Sequence, residues 1–101
     1  VLVEVAKLLK NNLRYSDYGC RWGGEEFLIL LSHTRLEQAK VVAEKLQKLV
    51  CKMKVPPIER ISASFGLSEY KINESYEETI KRADLALYKA KAEGKNCIIA
   101  L

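Results

Sequence analysis

The apolar positions of this chain switch repeatedly between helical and strand spacing, and each switch marks a new element. Val1, Val5, Leu8, Leu9 and Leu13 recur three and four residues apart, as one face of a helix does, and that helix should end near Asn11-Asn12. Tyr18–Trp22 and Phe27–Leu31 are rich in aromatic or branched residues and flank Gly23-Gly24, which predicts a β-hairpin. Thr34 then stands as an N-cap, with Glu37 completing a capping box. The helix it opens carries Leu36, Ala39, Val42, Ala43, Leu46, Leu49 and Val50. Pro56-Pro57 stops it and begins a turn. Ile61, Ala63, Phe65 and Leu67 alternate with Ser62, Ser64, Gly66 and Ser68, the pattern of a half-buried strand. Tyr76, Ile80, Ala83, Leu87 and Ala90 mark a last helix that Gly94 should terminate. Asn96–Leu101 reads as a short edge strand.

The order is helix, hairpin, helix, strand, helix, strand, which suggests an α+β fold with helices packed on an antiparallel sheet. At 101 residues there is room for one domain, 1–101. With 49% hydrophobic and 30% charged residues the composition is that of a soluble globular chain. No apolar run approaches the roughly 20 residues that span a bilayer, and the first residues, with Glu4 and Lys7, lack the pattern of a secretory signal. Cys20, Cys51 and Cys97 are odd in number, far apart and without a C-x-x-C pair, which argues against a disulfide framework or a zinc site. Reduced thiols in a cytoplasmic domain are the simplest account.

The net charge of +4 is spread along the chain, mostly as solvated helix faces. A nucleic-acid stripe would need clustered basic residues with interleaved aromatics, which are absent. The small positive surplus does suit a phosphate-bearing ligand.

Candidate chemistry concentrates at Gly23-Gly24-Glu25-Glu26-Phe27. Two glycines let backbone N–H groups approach a ligand without a Cβ in the way, and two carboxylates offer hard oxygen ligands to a divalent cation. An ordinary hairpin loop with solvated acids is the competing reading. Successive strand residues point to opposite faces, so Glu25 and Glu26 share a metal only if the turn breaks that alternation.

Three further segments surround this turn. Arg14-Tyr15-Ser16-Asp17 lies upstream, separated from Gly23 by Tyr18–Trp22; Ser64-Phe65-Gly66 lies on the predicted mid-chain strand; and Arg82-Ala83-Asp84-Leu85-Ala86-Leu87-Tyr88-Lys89-Ala90-Lys91-Ala92-Glu93-Gly94-Lys95-Asn96 ends the last helix. Taken together these closely resemble the GGDEF domain of bacterial diguanylate cyclases in its GGEEF form, over essentially the whole chain. The resemblance implies a ferredoxin-like fold, similar to a nucleotidyl-cyclase palm, and condensation of two GTP to cyclic di-GMP with loss of two pyrophosphates in an antiparallel homodimer. It implies Mg2+ or Mn2+ held by the catalytic acids Glu25 and Glu26, with Gly23 and Gly24 at the nucleotide. Lys91 and Lys95 match phosphate-contacting positions on one helix face, and Arg14 and Asp17 match the R-x-x-D inhibitory product site.

The family pattern also has an N-terminal part not found in this sequence: a first strand with a metal-binding aspartate, a Phe-Lys pair and a following helical region that recognises guanine. The expectation is therefore a partial domain lacking that strand and the following helix, inactive alone, whose parent is the cyclase. A catalytically silent module binding cyclic di-GMP through Arg14 and Asp17 is the alternative, and a purely structural dimerising domain a third. RNA-binding ferredoxin-like modules need stacking aromatics on adjacent strands, which are lacking.

Overall fold

A computed structural model of the chain describes residues 2–23, 26–54, 62–94 and 96–101. Pro56-Pro57 and Ile61 lie outside the described residues. The elements are α1 (Leu2–Asn11), β1 (Tyr18–Gly23), β2 (Glu26–Leu30), α2 (Leu36–Cys51), β3 (Phe65–Leu67), α3 (Tyr76–Ala92) and β4 (Ile98–Ala100), in the predicted order.

β1 and β2 form the predicted antiparallel hairpin, with Tyr18 opposite Leu30 and Arg21 opposite Phe27. A Cβ at Gly19 would come within 3.1 Å of Leu13 Cδ1, so this face of the hairpin closes on the end of α1. Tyr18 and its cross-strand partner Leu30 stay exposed on the other face. β3 and β4 pair in parallel, Phe65 with Ile98 and Leu67 with Ala100, extended by the Leu101 N–H donating to Leu67 O at 2.9 Å. The α+β class stands, but this second pair differs from the antiparallel expectation. The α3 crossover carries the chain back to the end where β3 began, so β4 must run the same way. Among the described residues the two strand pairs are not hydrogen-bonded to each other.

Among the described residues the buried core is aliphatic: Leu9 from α1, Ala43, Leu46 and Val50 from α2, Ala86 and Ala90 from α3. A half-buried strand would leave the Ser64, Gly66 and Ser68 side of β3 to water. Instead that side faces α3. A Cβ built on Gly66 would strike the Ala83 carbonyl and the Leu87 N–H and lie 2.8 Å from Leu87 Cα, and Ser68 Oγ donates to Thr79 O at 2.6 Å. The alternation in the sequence registers polarity, whereas here small size decides, because it lets a helix backbone lie directly on a strand backbone.

Both long helices have identifiable starts. Ser75 caps α3, its Oγ accepting the Glu78 N–H at 3.2 Å. Replacing it with Ala is expected to cost about 1 kcal/mol, measurable by urea unfolding. α2 is capped one residue later than predicted, at Arg35. The reason is that the Thr34 hydroxyl is engaged elsewhere, donating to Ser32 O and accepting from Arg14 Nη2, each at 2.8 Å. Gln38 Oε1 and Glu69 Oε1 accept the Arg35 and Leu36 N–H groups at 3.5 and 2.7 Å. Glu69 thus brings a carboxylate to the positive end of α2.

Candidate functional site

The hairpin connection runs through positions 24–25. Gly24, Glu25 and Lys95 lie outside the described residues, so the site is built from Gly23, Glu26 and Lys91. The strand register slips at this end: Arg21 pairs with Phe27, but the next pair is Gly23 with Glu26. Trp22 is the extra residue of a β-bulge, which re-aims side chains locally. The slip lies in β1; the alternation between Glu25 and Glu26 falls on a residue outside the described ones. Among the described residues, a Cβ on Gly23 would meet nothing within 4 Å, so none of them demands glycine there by packing.

The last turn of α3 reaches the start of β2 through a side-chain pair. Lys91 Nζ lies 3.5 Å from Glu26 Oε2, the two side chains being 49% and 38% exposed. Two motifs far apart in sequence thus meet: a carboxylate acceptor at the mouth of the hairpin and an ammonium donor on the last turn of the helix. Lys89 shares that turn, where cations are favoured by the helix dipole. The arrangement can hold an anionic group against Lys91 or a cation against Glu26. Among the described residues no group of three His, Cys, Asp or Glu side chains is placed to hold a metal ion. One carboxylate does not satisfy the octahedral demand of Mg2+, so the described donors are not a complete metal cage.

Arg14 and Asp17 occupy the other end of the hairpin, roughly 17 Å along a five-residue strand from the turn. Asp17 is fully engaged. Its Oδ2 accepts from the Arg14 N–H at 3.0 Å and from Arg14 Nε at 3.2 Å, and its Oδ1 accepts from Arg14 Nη2 at 3.1 Å and from the Ser32 N–H at 3.0 Å. Arg14 Nη2 reaches on to Ser32 O at 2.6 Å. The guanidinium, with the two N–H donors, holds the Asp17 carboxyl below its ordinary range. Asp17 is 3% exposed and Arg14 59%. The pair is therefore a clasp joining the segments before β1 and after β2, with only the arginine presented to solvent. Sequence reasoning missed Ser32 and Thr34 as its partners; a threonine placed one residue ahead of the helix start was the available signal.

The arginine that opens the last-helix motif is also structural. Arg82 Nη1 and Nη2 donate to Glu74 Oε2 and Oε1 at 2.7 and 2.8 Å, and Nη2 donates to Glu69 O at 2.6 Å. Glu74 further accepts from the Lys71 N–H and from Thr79 Oγ1, at 2.7 and 2.8 Å. Chiefly through Arg82, its pKa is pulled down to about 2. Glu74 was not anticipated because it lies in a loop, where helical spacing gives no clue. Among the described residues, no helix is long and apolar enough to cross a membrane, and all three cysteines are free thiols.

These features define a class: a small α+β domain whose hairpin meets the cationic end of its last helix through the Glu26–Lys91 pair. The model of the diguanylate cyclase GGDEF domain family matches residues 1–97. Diguanylate cyclase DgcM of Escherichia coli is 40% identical over 100 residues, covering 99% of this chain and 24% of that protein. Among solved structures, diguanylate cyclase SiaD of Pseudomonas aeruginosa, crystallised with its activator SiaC, superposes with a TM-score of 0.90 at 40% identity, over 99% of this chain and 40% of that one. The active GGEEF domain of a diguanylate cyclase from Vibrio cholerae gives 0.88 at 31% identity, over 98% and 65%. The chain belongs to the GGDEF domain family. It spans about a quarter of the length of the E. coli relative.

Proposed function

We propose that this chain forms the hairpin and final-helix portion of a diguanylate cyclase catalytic domain, which condenses two GTP into cyclic di-GMP. In each half-reaction a 3'-hydroxyl oxygen bonds to the α-phosphorus of the other nucleotide. The bond from that phosphorus to the bridging oxygen breaks, pyrophosphate leaves, and the hydroxyl proton passes to a base. Carried out twice between the same two nucleotides, this closes the ring. The observation that carries the proposal is the approach of Lys91 to Glu26 at 3.5 Å in a chain of this family.

Lys91, with Lys95, contacts the outer phosphates and neutralises charge that builds on the leaving pyrophosphate. Gly23 and Gly24 are the proposed residues beside the nucleotide, where a side chain would crowd the backbone approach. Glu26 and Glu25 are the proposed acids for Mg2+ or Mn2+, which the family's chemistry uses to offset phosphate charge. A homodimer presents one GTP to the other. Arg14 provides the product contact, and Asp17, whose oxygens are already engaged, orients it.

The test is cyclic di-GMP formation from GTP and Mg2+ by the longer protein that carries this segment. Lys91→Met is expected to lower the rate on the order of a hundredfold, and the 101-residue chain alone is expected to form no product. An unchanged rate in Lys91→Met overturns the assignment. The silent-receptor reading is separated by calorimetry with cyclic di-GMP: binding that Arg14→Ala abolishes, in a longer protein without turnover, favours it.

A further inference from the structure

The Glu26–Lys91 contact has two members that the proposed function sends to different ligands, the carboxylate toward a cation and the ammonium toward phosphate. Here they are spent on each other. Lys91 Nζ sits 3.5 Å from Glu26 Oε2, and both side chains are partly exposed at 49% and 38%. Each can therefore swing away without uncovering buried charge. Among the described residues, nothing lies within 4 Å of a Cβ built on Gly23, the strand partner of Glu26.

We infer that the Glu26–Lys91 ion pair is an autoinhibitory latch, in which Glu26 acts as an internal stand-in for phosphate and holds Lys91 until a polyphosphate displaces it. This rests on the proposed role of Lys91 as a phosphate contact. The physical basis is competition for one ammonium. A polyphosphate that takes Lys91 must break the pair, and the free energy of the pair is subtracted from its binding. Exposed ion pairs are weak, so the latch attenuates affinity rather than abolishing it. Removing it should tighten polyphosphate binding about two- to fivefold.

Inorganic tripolyphosphate, in buffer stripped of divalent cations, is the direct probe, titrated calorimetrically into the chain and its variants. Glu26→Gln is expected to bind about two- to fivefold more tightly than the unmodified chain. Glu26→Asp keeps the charge but shortens the reach, and is also expected to bind more tightly. Lys91→Met is expected to bind much more weakly, and Glu26→Gln added to it should change nothing further. Tightening in Glu26→Gln with none in Glu26→Asp would make the effect one of general charge and overturn the latch. Equal binding by the unmodified chain and both Glu26 variants, with Lys91→Met still weak, would overturn the latch and leave the phosphate role of Lys91 intact. Equal binding by Lys91→Met and the unmodified chain would overturn that role and the latch with it. Circular dichroism of each variant confirms that the fold is retained.

Discussion

Gly66→Ala is expected to be the most damaging single substitution in the described part of the chain, costing about 3 kcal/mol, at the upper end of ordinary overpacking. The cause is the nature of the obstacle. The new methyl would meet the Ala83 carbonyl, the Leu87 N–H and Leu87 Cα at 2.8 Å, all backbone atoms of α3 that no rotamer change can move. Relief requires the helix to back away from β3. That would loosen Ala86 and Ala90, which are fully buried, and stretch the Ser68 Oγ to Thr79 O bond of 2.6 Å. A small domain has only about 5–15 kcal/mol of stability in all, so a drop in melting temperature of more than about 10 °C should accompany the loss. Thermal and urea unfolding followed by circular dichroism measure it. Gly23→Ala is the contrast, since among the described residues a Cβ there meets nothing within 4 Å, and it should leave the melting temperature within a degree or two.

Glu74→Gln should rank second, and its signature is a pH dependence. The carboxylate takes two bonds from Arg82 and others from the Lys71 N–H and Thr79 Oγ1, fixing the loop that leads into the Ser75 cap of α3. Its pKa falls from the ordinary 4.5 to about 2 in the folded chain. A depressed folded pKa means that the unfolded chain binds protons first as the pH drops. The stabilisation is therefore complete above pH 4.5, declines as the pH falls from there toward 2, and is gone below. Melting temperatures taken from pH 7 to pH 2 should show the unmodified chain losing stability across that window. Glu74→Gln starts lower at pH 7, declines less, and converges with it at the acid end. Asp17, also held below its ordinary range by Arg14, adds to the fall in both proteins and does not alter the difference between them.

Much of this was legible in the sequence because it rests on periodicity and caps. The last helix is an example: Ser75 opens it and Gly94 follows it, with φ of +108°. The hairpin is another, bounded by its glycines. What periodicity could not reveal were relations between segments. The parallel pairing of β3 with β4 follows from the α3 crossover. The face of β3 that meets α3 is chosen by the size of Gly66. The α2 cap moved because Thr34 serves Arg14, and Glu69 reaches the α2 N-terminus from beyond β3. The candidate site shows the same division. Its residues stood out as motifs, but the meeting of Glu26 with Lys91 at 3.5 Å was visible only in the structure. That Asp17 is consumed by its own arginine needed coordinates.

The central claim is that the hairpin turn and the last turn of α3 form one phosphate-binding site. The most direct measurement is backbone amide NMR of the chain titrated with a GTP analogue that cannot be cleaved, in the presence of Mg2+. Amides of Gly23, Glu26 and Phe27 should shift together with those of Lys91 and Ala92, along a single binding curve. Those around Tyr70 and Tyr76, whose rings pair at 5.1 Å near the opposite end of α3, should stay in place. Shifts confined to Arg14 and Asp17, or separate curves for the turn and the helix end, would contradict the claim.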